Sequence, residues 1–282
     1  RISDTESLVG QLTFALKREH LNLTVLGALF ERREVLEGVQ AWLEDKPSSK
    51  YSRMAAHLAT WLTGHEFTYS LPAGSPRVPL LDPKLYVTGP AVSDPRFGVS
   101  NNLLGDRYFS PLIRRTDKLQ SLLAAGLAGK VTDAFRHIEP EMLSRAVDYL
   151  YLSETRSTYN IEDEIPDNNR AAKFRRLLEQ AGEPGALTEE QLCQWQSQIV
   201  SALGTEYEFR STQNWLSRSG RLRNIADFIP PPPEQVRPMM AAVSKIASWA
   251  STGQLDPVLA AATASFGLGY VHPFLDGNGR LH

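Results

Sequence analysis

Apolar residues recur every three or four positions along much of this chain, which is the spacing of a helix that buries one face. The pattern runs through residues 6–62, where it predicts helical hairpins, and returns in residues 119–127 and 141–158. Thr188, with Gln191 three residues later, is expected to cap a further helix. That helix is predicted over residues 188–202, and others are predicted over residues 169–180, 238–250 and 256–270. We therefore expect a mainly α fold.

Two stretches depart from this helical pattern. Residues 64–115 contain seven prolines and are predicted to form an irregular, partly stranded connector. Residues 206–210 and 222–229 are predicted to be the two strands of a β-hairpin, and the four prolines Pro230 to Pro233 follow as a rigid strap. At 282 residues the chain has the length of about two domains. We expect an accessory region over residues 1–115 and a second domain over residues 116–282.

Composition excludes several classes of protein. The chain has 30 Lys and Arg against 32 Asp and Glu, so its net charge of -2 offers no general attraction for nucleic acid or an anionic membrane. No apolar stretch has the ~18 residues of a membrane span, and the first residues do not resemble a secretion signal. The single cysteine, Cys193, cannot form an internal disulfide. We therefore expect a cytoplasmic protein.

The last twelve residues contain a candidate anion site. Gly277, Asn278 and Gly279 can adopt left-handed backbone and present successive N–H groups, an arrangement that receives phosphate oxygens. Arg280 adds a guanidinium group suited to phosphate. Taken alone, such a glycine-rich turn is more often only a turn. The chain lacks the Lys-Ser/Thr pair of a P-loop here.

Acid–base and metal-binding groups lie just before this turn. Asp276 has the carboxylate that Mg²⁺ prefers when it shares its coordination with phosphate. His272, at the end of a predicted helix, can take a proton from an attacking hydroxyl. Phe274 between them is expected to be a buried anchor. Spacing alone does not separate an acid–base site from a His/Asp metal site.

The string HPFLDGNGR, residues 272–280, resembles the signature HxFx(D/E)GN(G/K)RxxR of the Fic family at every specified position that it covers. We call residues 272–280 the signature loop. FRSTQNW, residues 209–215, resembles the target-binding flap of that family, and ADFIPPPPE, residues 226–234, resembles the proline run after it. The resemblance covers about residues 141–282 and implies a Fic-type helical bundle with a β-hairpin flap. Its flap residues would be Phe209, Arg210, Ser211, Thr212 and Gln213.

This resemblance implies a bacterial protein adenylyltransferase, which moves AMP from ATP to a Ser, Thr or Tyr hydroxyl of a target protein. His272 would be the general base, and Asp276 would hold Mg²⁺ at the α- and β-phosphates. The phosphates would be held by Gly277, Asn278 and Gly279, and Arg280 would neutralise the departing diphosphate. ATP and Mg²⁺ are therefore the expected substrate and cofactor. The target chain would add to the flap as a strand.

The resemblance also implies an inhibitory helix over about residues 141–162. Thr158 and Glu162 match the motif (S/T)xxxE(G/N) of autoinhibited members, whereas Asp163 departs from its last position. In the family, this glutamate pairs with the second arginine of the signature. That arginine would be due one residue after His282, so we expect the domain over residues 116–282 to be incomplete at its C-terminus.

Other functions stay open at this point. Fic-type enzymes also transfer other phosphate-containing groups or remove AMP. A nucleotide-sensing regulator that binds DNA through its N-terminal helices is a further alternative. The basic residues of those helices alternate with Glu19, Glu31 and Glu34, however, which favours a solvated face over a DNA-reading one. We expect no membrane or nucleic-acid partner, and whether the chain forms a homodimer is open.

Overall fold

The computed structural model describes residues 7–161, 168–180, 187–218 and 225–282. The chain divides into two compact units, Arg1–Arg115 and Thr116–His282. The fold as a whole is mainly helical, as the apolar spacing predicts, with a few short strands. Among the described residues, no helix combines the length and the apolar character that crossing a bilayer requires.

The first unit begins with four helices, in agreement with the predicted helical hairpins. They are α1 (Leu8–Arg18), α2 (Leu23–Phe30), α3 (Arg33–Asp45) and α4 (Lys50–Thr63). Ser7 and Asn22 cap α1 and α2, because each side chain accepts a hydrogen bond from an N–H of the first turn. Helix α4 lies at the centre of this unit and its middle residues, from Ser52 to Ala59, are buried.

The connector contains a three-stranded sheet, so the prediction of partial strand structure is confirmed. Strand β3 (Val99–Asn101) lies between β1 (Val78–Pro79), which is parallel to it, and β2 (Val92–Asp94), which is antiparallel. Arg53 of α4 is 1% exposed and donates to the carbonyls of Ser49, Pro76 and Phe97. This buried arginine thus connects α4 to the connector through carbonyl groups.

The second unit contains eight of the described helices. They are α5 (Asp117–Ala124), α6 (Leu127–Phe135), α7 (Pro140–Ile161), α8 (Asn168–Glu179), α9 (Glu189–Ile199), α10 (Pro233–Ser251), α11 (Pro257–Val271) and α12 (Asn278–Leu281). Thr188 caps α9 as predicted, since its Oγ1 accepts from the N–H of Gln191 at 3.2 Å. Helices α10 and α11 pack closely on each other and carry the signature loop at the end of α11.

The prediction of a strand over residues 206–210 is wrong. The hairpin pairs β4 (Leu216–Arg218) with β5 (Ile225–Phe228), and the segment before it is irregular. Its backbone hydrogen bonds go elsewhere: the N–H of Phe209 donates to the carboxylate of Glu189, and the N–H of Arg210 donates to the carbonyl of Pro273. Because these partners lie far away in the sequence, alternation of residue types does not reveal them.

The helix predicted over residues 238–250 is part of α10, which begins earlier, at Pro233. Proline suits the first helical position, since an N–H there has no partner within the helix. Pro238 lies further inside α10, where its missing N–H costs one helical hydrogen bond. The buried face of Val236, Met239 and Met240 compensates for that loss by packing in the core.

Candidate active site

Two residues of the signature loop have left-handed backbone. His272 is the C-cap of α11, with φ 52 and ψ 62, and Gly277 is the N-cap of α12, with φ 86. A side chain at Gly277 would also meet Cγ1 of Val200 at 2.8 Å, so glycine is required there for both conformation and space. Phe274, between these two residues, is fully buried as predicted, and its ring meets Phe209 edge to face at 5.6 Å.

Asn278 holds the loop in shape. Its Oδ1 accepts from the N–H of Phe274 at 3.0 Å, and its Nδ2 donates to the carbonyl of Phe274 at 2.7 Å. The side chain is 2% exposed. Both polar ends of the Asn278 amide are therefore bonded within the loop, and its main-chain N–H is the group that could meet a phosphate.

Successive N–H groups at the turn lack a protein acceptor. Within the described parts of the chain, no carbonyl or side-chain oxygen accepts from the N–H of Gly277, Asn278 or Gly279. Successive N–H groups of this kind form a concavity that favours anions. The N–H groups that the sequence predicts as phosphate donors are therefore available to a ligand.

Arg280 and Asp276 form an ion pair on one side of the loop. Nη2 of Arg280 lies 2.5 Å from Oδ1 of Asp276, and the Arg280 side chain is fully buried whereas that of Asp276 is 43% exposed. Arg280 also donates to the carbonyl of Ile199 at 3.2 Å. Burial next to a carboxylate makes this arginine an orienting group for Asp276 as well as a source of positive charge.

Asp276 is suited to share a divalent cation with phosphate. The described residues contain no group of three or more His, Cys, Asp or Glu side chains that could enclose a metal. Mg²⁺ does not need such a cage, because it commonly binds through one or two carboxylates together with phosphate oxygens and water. A half-exposed carboxylate beside unpaired N–H groups fits this requirement.

Two further residues that shape the loop could not be predicted from the sequence. Oε1 of Glu206 accepts from the N–H of Leu275 at 2.8 Å and from that of Asp276 at 3.4 Å. Gln196 is fully buried and donates to the carbonyl of Asp276 at 3.2 Å. Burial raises the pKa of the Glu206 carboxyl, and the charge of Asp276 acts in the same direction. About 70 to 80 residues separate these partners, and no local pattern marks them.

The environment of His272 favours a neutral imidazole. Burial lowers the pKa of His272, and the positive charges of Arg210 and His282 lower it further, while a hydrogen bond to the carbonyl of Gly269 opposes them. A neutral imidazole can accept a proton. The histidine therefore meets the electrostatic requirement of a general base at neutral pH.

Part of the predicted inhibitory segment lies beside the loop. Thr158 is half-buried in the last turns of α7. The next residue, Tyr159, is fully buried, donates to the carbonyl of Ile199 at 2.9 Å and lies with its ring 5.3 Å from the guanidinium of Arg280. Glu162 and Asp163 lie outside the described residues.

The residues predicted for the flap divide into two groups. Phe209 and Arg210 are buried, and both contact the signature loop. Ser211, Thr212 and Gln213 lie on the surface and lead into β4. Gln213 donates to the carbonyl of Pro230 at 3.0 Å and so connects this segment to the proline strap. The first two residues thus face inward, and only the last three are exposed.

Comparison with known proteins agrees with this geometry. The model of the Fic/DOC family matches residues 186–282, from just before α9 to the end of the signature loop and α12. No curated protein sequence matches the chain. The matched region contains His272, Asp276 and the glycine-rich turn, as well as the hairpin of β4 and β5. Residues 186–282 are therefore a domain of the Fic/DOC family, which indicates a Fic-type enzyme that transfers a nucleotidyl or other phosphate-containing group.

Proposed function

We propose that this protein is an adenylyltransferase that moves AMP from ATP to a Ser, Thr or Tyr hydroxyl of a target protein. The observation that carries this proposal is the composition of the signature loop. It places an imidazole that prefers to be neutral, a half-exposed carboxylate and unpaired N–H groups within one short segment. Transfer of a phosphoryl-type group needs mainly positioning and charge stabilisation, and these groups supply both.

In the proposed reaction, His272 accepts the proton of the target hydroxyl while the hydroxyl oxygen attacks the α-phosphorus of ATP. The bond from the α-phosphorus to the oxygen that leads to the β-phosphate breaks, and diphosphate leaves. The N–H groups of Gly277, Asn278 and Gly279 bind the phosphate oxygens. Asp276 would hold Mg²⁺, which supplies positive charge to those oxygens when bound. Arg280 orients Asp276 and adds its own charge.

The hairpin is the proposed site for the target protein. Strands β4 and β5 pair with each other, and no third strand of the described chain joins them. A target segment can therefore add to the hairpin by main-chain hydrogen bonds. Such bonds bring a hydroxyl toward the loop and leave the choice of sequence to other contacts.

We also propose that α7 restrains the enzyme through Thr158 and Glu162. Tyr159, in the same segment, packs against the guanidinium of Arg280, so this end of α7 lies beside the signature loop. A carboxylate delivered there would compete with phosphate for the loop. The proposal for Glu162 itself rests on the sequence motif.

Label transfer from ATP tests these proposals. With Mg²⁺ and a cell lysate as the source of targets, Glu162→Gly is expected to increase transfer from ATP labelled at the α-phosphate at least about fivefold, the lower end of the range usual for coupling between sites. ATP labelled only at the γ-phosphate should give no labelled protein, because diphosphate leaves. Mass spectrometry should show an added AMP on a hydroxyl side chain.

The matched control is Glu154→Gly, which places a glycine at an exposed position of the same helix. If Glu154→Gly raised labelling equally, loosening of α7 rather than removal of the Glu162 carboxylate would explain the effect. Label arriving from the γ-phosphate would identify a phosphotransferase and refute AMP transfer.

A further inference from the structure

Arg210 is a buried arginine that binds carbonyl groups. It is 4% exposed, and no Asp or Glu among the described residues pairs with it. Its guanidinium donates to the carbonyls of His272 (2.8 Å), Val271 (3.2 Å), Pro231 (2.6 Å) and Thr212 (3.2 Å). A buried charge normally requires compensation, so this arrangement needs a physical explanation.

The end of α11 supplies that compensation. The last carbonyls of a helix have no partner within it and carry partial negative charge. The side chain of Arg210 donates to the carbonyls of Val271 and His272 there. Its main-chain N–H donates to the carbonyl of Pro273 at 2.8 Å. One residue therefore binds three consecutive carbonyls, 271 to 273.

Two of these three carbonyls, those of Val271 and His272, set the orientation of His272. The peptide groups on both sides of its Cα belong to Val271 and to His272 itself, and holding them fixes the direction of the Cα–Cβ bond. His272 adopts a left-handed backbone, which residues other than glycine keep only where their surroundings enforce it. The contacts of Arg210 provide this enforcement.

We propose that Arg210 is a positioning residue of the signature loop, which holds His272 in its left-handed conformation and directs the imidazole toward the site of proton transfer. This role rests on the proposed function, in which His272 is the base. It replaces the expectation that Arg210 contacts the target, because the side chain is buried beneath the loop. The bond to Pro231 also connects the proline strap to the same point.

The charge of Arg210 gives this role a measurable signature. The groups that act on the His272 imidazole are the Gly269 carbonyl and two positive charges, Arg210 and His282. Removing the charge of Arg210 is therefore expected to raise the pKa of His272. Since the base must be neutral, activity is lost as the pH falls through this pKa, and the acid limb of the pH profile should move to higher pH.

Two substitutions separate orientation from charge. Arg210→Lys keeps the charge but cannot bind four carbonyls, whereas Arg210→Gln removes the charge as well. Both are expected to lower kcat for AMP transfer about 100-fold, the loss that a misplacement of about 1 Å can cause, with KM for ATP within about twofold of the unchanged protein. Only Arg210→Gln should shift the acid limb upward.

Arg53→Lys is the matched control, because Arg53 is equally buried and also binds only carbonyls, but in the first unit. It should lower thermal stability without moving the pH profile. If Arg53→Lys shifted the acid limb as much as Arg210→Gln, or if Arg210→Gln left the limb in place, the positioning role would be refuted.

A second measurement does not depend on turnover. The Cε1–H signal of His272 can be assigned in NMR spectra by its absence in His272→Ala. In the unchanged protein, its titration midpoint should lie below the ordinary histidine pKa of about 6.5. In Arg210→Gln, the midpoint should be higher than in the unchanged protein. In the unchanged protein, the Nε–H signal of Arg210 should shift with the same midpoint, which tests the contact even where both variants fail to fold. An Arg210 Nε–H chemical shift that does not change as His272 titrates would refute the proposal. A coupled titration without label transfer would refute the proposed function alone.

Discussion

Replacing His272 by alanine is expected to lower the rate of AMP transfer by about 10²- to 10⁴-fold, the contribution typical of a general base. The imidazole is held at the end of α11 in an environment that lowers its pKa, so it is ready to accept a proton at neutral pH. Alanine cannot take the proton from the target hydroxyl. The rate is measured as label transferred from the α-phosphate of ATP in the Glu162→Gly background.

A conservative partner variant separates chemistry from folding. His272→Asn also removes the base, but asparagine tolerates left-handed backbone better than most residues, so the loop should keep its conformation. We expect the same loss of rate with an unchanged melting temperature. His137→Ala, which changes an exposed histidine of the same unit, should leave the rate unaltered. Undiminished transfer by His272→Asn would exclude His272 as the base.

The signature loop could be predicted because its chemistry is local. Base, carboxylate and glycine-rich turn lie within residues 272–280, so their order in the sequence is enough to suggest the site. Phe274 could be predicted as a buried anchor for the same reason, since it is the aromatic residue between His272 and Asp276. The helices could be predicted because their apolar spacing is regular over many turns.

The groups that support the loop could not be predicted, because their contacts cross the sequence. Gln196, Glu206 and Arg210 reach the loop from residues 62 to 80 positions away, and each binds backbone atoms rather than a recognisable partner side chain. Residue types predict a strand over residues 206–210, whereas in the structure this segment binds the loop. In this segment, hydrogen bonds to distant residues therefore outweigh the local preference for a strand.

Asn278 shows how closely the shape of the loop depends on one side chain. Its amide provides both a donor and an acceptor to the backbone of Phe274, in a buried position. Asn278→Ala should leave the N–H of Phe274 without a partner, whereas the carbonyl of Phe274 keeps its hydrogen bond from Nδ2 of Asn214. A buried group that loses its only hydrogen bond costs about 1–3 kcal/mol, so the free energy of unfolding of the second unit should fall by about that amount. Urea unfolding followed by circular dichroism measures this change.

Asn278→Asp gives the sharper test, because its effect should depend on pH. A protonated carboxyl can still accept from the N–H of Phe274 and donate to its carbonyl, whereas a carboxylate cannot donate. Burial should raise the folded-state pKa of the introduced carboxyl above its unfolded value. Stability relative to the unchanged protein should therefore be retained at low pH and lost as the pH rises through that raised pKa. The deficit of Asn278→Ala should be the same at every pH. Equal deficits for both variants at pH 4 and pH 8 would show that the amide of Asn278 does not act through these two bonds.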